Sequence, residues 1–233
     1  MTQHIRAILW KQLKDTSKNK TILIQFVMFP VLTLIMENTI KIDNMPEHFF
    51  ASLFAVMYIG MAPLTSMSAI LSEEKEKNTL RVLLMTNVRP MEYLIGIGIY
   101  IWCICMLGAG IIAFAGQYTA STLFYFLLIM GVGISVSLLM GAAIGVWSKN
   151  QMMATSVTVP VMMIFSFLPM LSMFNDKIGK IAQFTYSEQL YRLLCQLEYL
   201  QLDSKPVVVI LCNMLLAIAL FAAAYKRNGL ASE

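Results

Sequence analysis

Few residues in this sequence have the chemistry of a catalytic or metal-binding group. Histidine occurs only at His4 and His48, and neither lies within a long apolar stretch, so a buried serine–histidine pair or an HExxH zinc motif is absent. No two cysteines have the spacing of a zinc site or a redox motif; they are Cys103, Cys105, Cys195 and Cys212. We therefore expect no metal site and no catalytic residue in this chain.

The sequence also lacks the residues that bind the phosphates of ATP. A phosphate-binding loop requires the pattern G-x-x-x-x-G-K-[ST]. The only Gly-Lys pair is Gly179–Lys180, which is followed by Ile181 and is not preceded by the required glycine. If the protein moves a solute with the energy of ATP, both ATP and its magnesium ion must be bound by another polypeptide.

A charged segment, residues 72–92, is the part of the chain best suited to bind a soluble partner. Ser72 can cap a helix whose first turn holds Glu73, Glu74 and Glu76, and acidic groups favour a helix N-terminus. Pro90 can begin the next helix, because proline is tolerated in a first turn. We predict a short charged helix outside the membrane, and a solvated hairpin is the alternative.

The surrounding elements are long and apolar. Hydrophobic residues make up 58% of the 233 residues, charged residues only 13%, and the mean hydropathy is +0.71. These values are typical of a membrane protein. A spanning helix needs about 20 apolar residues, and six segments qualify: Thr21–Glu37, Phe49–Leu71, Met91–Ala115, Leu123–Trp147, Met152–Phe174 and Val207–Tyr225. We predict an all-α membrane protein with a single domain over residues 1–233.

Basic residues predict the orientation of these spans. With the N-terminus inside, twelve of the 17 Lys and Arg residues fall on the inner side and five on the outer side. Positively charged residues concentrate in cytoplasmic segments. We therefore expect a multi-pass protein of the cell membrane with both termini in the cytoplasm. Span centres carry only neutral polar residues, which argues against an ion-coupled carrier.

Two further segments have amphipathic patterns. Residues 3–18 predict an interface helix on the inner leaflet, where basic groups can contact anionic lipid; its residues are Ile5, Arg6, Ile8, Leu9, Trp10 and Leu13. A helix docked on a cytoplasmic partner is the alternative. Residues 175–206 predict an extracellular amphipathic segment, with Thr185 and Glu188 as a capping box. That segment can lie in the interface or fold back into the bundle.

A row of small residues marks the fourth span. Gly133, Ser137, Gly141 and Gly145 follow each other at four-residue steps, which places them on one face of a helix and allows a second helix to approach closely. The row predicts a tight packing seam, either between two subunits or within one.

The charged segment resembles the loop between the second and third spans of the ABC type-2 exporter permease family. The similar stretches are Ser72–Leu80, Leu83–Val88 and Glu92–Gly96, with Asn78 in the place of the usual glycine. The resemblance implies a coupling helix that docks on an ATP-binding cassette ATPase subunit, and it carries over these residues: Glu73, Glu74, Lys75, Glu76, Lys77, Thr79, Leu80 and Arg81. It also implies an assembly of two permease chains, identical or different, with two ATPase subunits.

These observations lead to one functional expectation and two alternatives. We expect the permease subunit of an ATP-driven exporter. The 19 methionines suit irregular apolar ligands, so the expected cargo is apolar or amphipathic: a hydrophobic or antimicrobial peptide, a drug or antibiotic, or a lipid-like molecule. Methionine that only fills space between helices is the other interpretation. The alternatives are a non-transporting membrane sensor or assembly subunit and an ion-coupled secondary carrier.

Overall fold

The computed structural model describes residues 2–18, 20–40, 46, 48–79, 89–197 and 204–228. These residues contain nine helices and no strand. The helices are α1 (Thr2–Lys18), α2 (Lys20–Thr39), α3 (Phe49–Glu76), α4 (Pro90–Ala115), α5 (Ala120–Trp147), α6 (Gln151–Ser172), α7 (Asp176–Ala182), α8 (Tyr186–Cys195) and α9 (Ser204–Asn228). Six of them, α2 to α6 and α9, are long and apolar enough to cross a membrane. The predicted six-span α-helical fold is confirmed.

Helix α3 lies at the centre of the bundle and packs against α2, α4, α5, α6 and α8. In its most apolar window 83% of the residues are buried, against 28% in α2, 22% in α6 and 17% in α9. Small residues allow this central position: Gly60 lies directly against the Ser166 backbone of α6. Because α3 contacts most of the other spans, a rotation of α3 changes their packing together.

Neutral polar side chains link α3 to its neighbours. The Thr65 hydroxyl donates to Gln25 Oε1 of α2 at 2.9 Å, which accounts for a glutamine inside the first span. The Ser68 and Thr158 hydroxyls are 2.8 Å apart, and Ser166 donates to the Met57 carbonyl. Such interhelical bonds hold spans together in a medium that supplies no competing water.

The prediction that a separate helix starts at Ser72 is wrong. Helix α3 continues from Phe49 to Glu76 without a break. The Ser72 hydroxyl donates to the Ala69 carbonyl at 3.1 Å and caps no helix. A serine hydroxyl can bond a carbonyl one turn back as readily as it caps, and here packing favours the continuous helix. The charged residues therefore extend the second span, and the next helix begins at Pro90, as predicted.

The opposite end of α3 is fixed by an acidic side chain from α2. Glu37 Oε2 accepts a hydrogen bond from the Ala51 amide at 3.0 Å, in the first turn of α3. A carboxylate there satisfies an amide without a helical partner and interacts favourably with the helix dipole. This contact explains the placement of an ionisable residue at the end of the first span.

The segment after α6 folds back into the bundle. The Thr185 hydroxyl accepts a hydrogen bond from the Glu188 amide at 3.5 Å, so the predicted cap at the start of α8 is present. The Glu188 side chain does not return to Thr185; it accepts from Ser172 and Arg192. Four leucines of this amphipathic segment are buried in the main core: Leu190, Leu193, Leu194 and Leu197.

Candidate functional site

Four consecutive charged residues at the end of α3 contact three different parts of the chain. They are Glu73, Glu74, Lys75 and Glu76. Three acidic groups at a helix C-terminus oppose the helix dipole, so each needs a compensating partner. The partners come from α1, from the connection between α5 and α6, and from α3 itself.

Glu74 connects α3 to α1. Its Oε1 atom accepts from Lys11 Nζ at 2.7 Å and from Gln12 Nε2 at 3.1 Å, and the residue is only 8% exposed. Its Oε2 atom is buried without a hydrogen-bond partner among the described residues. The first helix is thus attached to the central helix by an ion pair in which Glu74 is buried and Lys11 is partly exposed, and removal of Lys11 would leave the buried carboxylate without its cation.

Lys75 and Glu76 hold the connection between α5 and α6. Lys75 Nζ donates to the carbonyls of Val146 and Ser148 at 2.6 and 2.8 Å, in the last turn of α5. Glu76 Oε2 accepts from the Gln151 amide at 2.7 Å, at the first residue of α6. A cation thus caps the C-terminus of one helix and an anion the N-terminus of the next, which are the favourable charges at those ends.

Glu73, Lys77 and Thr79 lie together on one side of this site; Lys77 and Thr79 are exposed, as is Glu76, and Glu73 is half-buried. Glu73 Oε1 and Lys77 Nζ form an i,i+4 ion pair at 2.5 Å, and this hydrogen bond raises the pKa of Lys77. Thr79 donates to the Glu74 carbonyl. These residues line a polar cavity of about 610 Å³ together with Lys11, Asp15 and Lys20.

Asn78 ends α3 in the left-handed conformation, with a φ of 54°. The Lys77 and Asn78 amides donate to the carbonyls of Glu73 and Lys75. Glycine is the residue that adopts this conformation most easily after a helix, and asparagine is the next most tolerant. The asparagine in place of the usual glycine therefore preserves the backbone geometry. Leu80 and Arg81, the remaining predicted coupling residues, lie outside the described residues.

Comparison with known protein families shows which family the chain belongs to. The family model described as "ABC-2 family transporter protein" matches residues 2–226. The chain belongs to the ABC-2 transporter family. No curated protein matched the sequence. Members of this family are membrane subunits that are generally non-catalytic. Membership in the family implies, in general, a partner subunit that is an ATP-binding cassette ATPase.

The predicted interface helix of this ABC-2 chain lies along α4. Ile8 is buried against Gly96, where a Cβ atom would approach Ile8 Cγ2 to 3.0 Å. Trp10 and Leu13 are 70% and 50% exposed. Leu9, Trp10 and Leu13 line an apolar surface groove with residues of α4, and Arg6 borders it. The side chain of Ile5 lies outside the described residues.

The small-residue seam of the ABC-2 chain lies against α3 and α8 of the same chain. A Cβ atom on Gly133 would lie 2.7 Å from Leu190, one on Gly145 would lie 2.8 Å from Leu71, and one on Gly141 would overlap the Leu64 carbonyl. Ser137 is fully buried. The structure therefore places the seam inside one chain.

One polar contact in the seam has no signal in the sequence. The Ser137 and Tyr186 hydroxyls are 2.7 Å apart, both residues are fully buried, and burial raises the pKa of Tyr186. Ser137 was recognised as a small residue of the seam. Its partner Tyr186 is 49 positions away, in the amphipathic segment, and nothing in that segment's pattern singles out the tyrosine.

Removing the Tyr186 hydroxyl tests this contact. We expect Tyr186→Phe to lower the free energy of unfolding by about 1–2 kcal/mol, because the Ser137 hydroxyl loses its partner in a buried site. The double variant Ser137→Ala/Tyr186→Phe should recover part of this loss. The measurement is thermal unfolding of the purified chain in detergent, and a loss in the double variant equal to the sum of both single losses would contradict the contact.

Proposed function

We propose that this chain is the membrane-spanning subunit of an ATP-driven exporter and that a separate ATP-binding cassette subunit docks on the end of α3. The observation that carries the proposal is the family match over residues 2–226. The location of the charged residues supports it: Glu73–Lys77 extend directly from the central helix of the bundle. A force applied there is transmitted to the spans through helix packing.

The division of labour among the charged residues refines the docking surface. Glu74, Lys75 and Glu76 engage α1, α5 and α6, so their role in coupling is to make these elements move with α3. Glu73, Lys77 and Thr79 line the cavity and, together with the exposed Glu76, are the side chains that we expect a partner to contact. Leu80 and Arg81 follow directly in the sequence and belong to the same proposed surface.

The proposed assembly contains two permease chains and two ATP-binding subunits, with the end of α3 in the cytoplasm. ATP and magnesium are bound by the partner. Apolar side chains are exposed along α6 and α9, which suits contact with a second permease chain, lipid or an apolar cargo. Three exposed methionines on α6 and just after it, Met152, Met163 and Met173, support an apolar or amphipathic cargo, since methionine adapts to irregular ligands.

Co-purification from native membranes tests the docking surface. We expect the affinity-tagged full-length chain to retain an ATPase whose peptides contain the G-x-x-x-x-G-K-[ST] loop. The variant Lys77→Glu/Thr79→Ala should lower the retained ATPase about tenfold, since partner contacts at the centre of an interface each contribute 1–2 kcal/mol or more. The matched control is Lys180→Glu, an exposed lysine in α7, between α6 and α9.

Two results would contradict the proposal. One is an unchanged ATPase yield in the Lys77→Glu/Thr79→Ala variant when the control also retains the partner. The other is transport that persists without ATP and stops when the proton gradient is dissipated, which would favour an ion-coupled carrier. Stimulation of the ATPase by cargo would separate a pump from a non-transporting membrane subunit.

A further inference from the structure

An apolar crevice opens between α4 and α5 in one half of the bundle, and α9 borders it. Its volume is about 430 Å³, within the range of small-ligand sites. One wall is formed by α4, with Leu94, Gly98 and Trp102, and the other by α5, with Ser135, Leu138, Leu139 and Ala142; Phe221 of α9 and Met67 of α3 complete the lining. Because all four helices are membrane spans, the medium outside the crevice is hydrocarbon rather than water.

The two polar side chains in the lining leave no free hydrogen-bond donor toward the crevice. Trp102 Nε1 and the Ser135 hydroxyl both donate to the Gly131 carbonyl, at 3.3 and 2.8 Å. The Trp102 ring lies next to Gly131, where a Cβ atom would be 3.4 Å from Cζ2. The crevice is therefore dry along its walls, and its occupant must be a hydrocarbon.

The length of the crevice fits one leaflet. On α4 it extends from Met91 to Trp102, which corresponds to roughly 16 Å at 1.5 Å per residue. The hydrocarbon core of a bilayer is about 30 Å thick, so the crevice extends from one boundary of the core to its midplane. A single acyl chain in one leaflet covers this depth.

The boundary end of the crevice is basic. Arg89 directly precedes α4, and Lys226 and Arg227 follow Phe221 by five and six positions on α9; all three are exposed. Among the described residues of these two helix ends there is one acidic side chain, Glu92, which is half-buried. Basic groups at the level of lipid headgroups attract anionic lipid.

We propose that this crevice binds one acyl chain of an anionic phospholipid, whose phosphate lies at Arg89, Lys226 and Arg227. The apolar walls favour an acyl chain, the depth matches one leaflet, and the basic end favours an anionic headgroup. This site is separate from the charged end of α3, and its occupancy does not depend on an ATP-binding subunit.

Photolabelling of the full-length chain tests the proposal. The purified chain is reconstituted into phosphatidylcholine vesicles that contain a phosphatidylglycerol probe with a diazirine in the middle of one acyl chain, or the matching phosphatidylcholine probe. We expect the phosphatidylglycerol probe to label the α4 and α5 residues that line the crevice, and the label to fall about fivefold for each basic group removed in Lys226→Gln and Arg227→Gln.

Two glycines on α4 supply a matched pair of variants. A Cβ atom on Gly98 or on Gly110 meets no atom within 4 Å, so a larger side chain fits the fold at both positions, but only Gly98 lines the crevice. We expect Gly98→Leu to lower crevice labelling about tenfold, because it fills the space of several methylenes, and Gly110→Leu to leave it unchanged. In the unaltered chain, excess unlabelled phosphatidylglycerol should displace the crevice label but not the label at Leu107 of α4 or Leu215 of α9, which are exposed and lie outside the crevice lining.

Three outcomes would overturn the proposal. Equal labelling by the two probes, with no displacement, would mean that the crevice contacts only bulk lipid. Unchanged labelling in a folded Gly98→Leu variant would place the acyl chain elsewhere. Labelling of Leu107 and Leu215 without labelling of the crevice would mean that another protein surface covers it.

Discussion

Replacing Glu74 with lysine is expected to detach α1 from the central helix and to lower the free energy of unfolding by about 3–5 kcal/mol. The substitution places two lysines together in a site where the residue is only 8% exposed, and an unpaired buried charge has a cost of this size. The measurement is the thermal unfolding of the purified chain, combined with the protease sensitivity of residues 2–18.

The neighbouring acid provides the control for Glu74→Lys. Glu73 forms an exposed i,i+4 pair with Lys77, and such pairs contribute less than about 1 kcal/mol, so Glu73→Lys should change stability little. The charge swap Lys11→Glu/Glu74→Lys should recover a large part of the loss. Equal destabilisation by Glu73→Lys and Glu74→Lys, or no recovery in the swap, would contradict the buried pair.

Replacing Gly141 with leucine is expected to prevent α3 and α5 from packing and to cost at least about 3 kcal/mol. A Cβ atom at this position overlaps the Leu64 carbonyl, and overpacking that forces the backbone to move exceeds the 1–3 kcal/mol of ordinary core insertions. We expect loss of the monodisperse peak in size-exclusion chromatography and a lower unfolding temperature.

Gly110→Leu is the matched control for Gly141→Leu, since it adds the same side chain to a membrane-spanning glycine with open space around it. Gly141→Ala should already destabilise the chain, because the clash involves the first added carbon. A stable Gly141→Leu protein with an unchanged unfolding temperature would show that α3 and α5 do not approach each other at this depth.

The sequence predicted the number and approximate limits of the spans because length and apolarity are local properties. It did not predict which face of each span is buried. In a membrane both lipid-facing and core-facing positions are apolar, so Ile95, which is exposed at the crevice, and Ile97, which is buried in the core, look alike. The seam was the exception, since a row of small residues marks one face.

The charged end of α3 shows the other limit of local information. Ser72 and the acids after it have the pattern of a helix start, yet their positions are decided by partners far along the chain: Glu74 by Lys11, 63 residues away, and Lys75 by Val146, 71 residues away. The sequence predicts a coupling role for these residues, but which of them make contacts within the chain follows only from the tertiary structure.

The hydroxyl contacts between the spans have a consequence for conformational change. Ser68, Thr158 and Ser166 carry no charge, and each can exchange one acceptor for another by rotation about a single bond. When α3 turns relative to α6, these bonds can break and re-form one after another, so the activation barrier stays low at every stage. The ionic contacts at the end of α3 are charge-assisted and therefore stronger than bonds between neutral hydroxyls, and they should persist while the hydroxyl partners change.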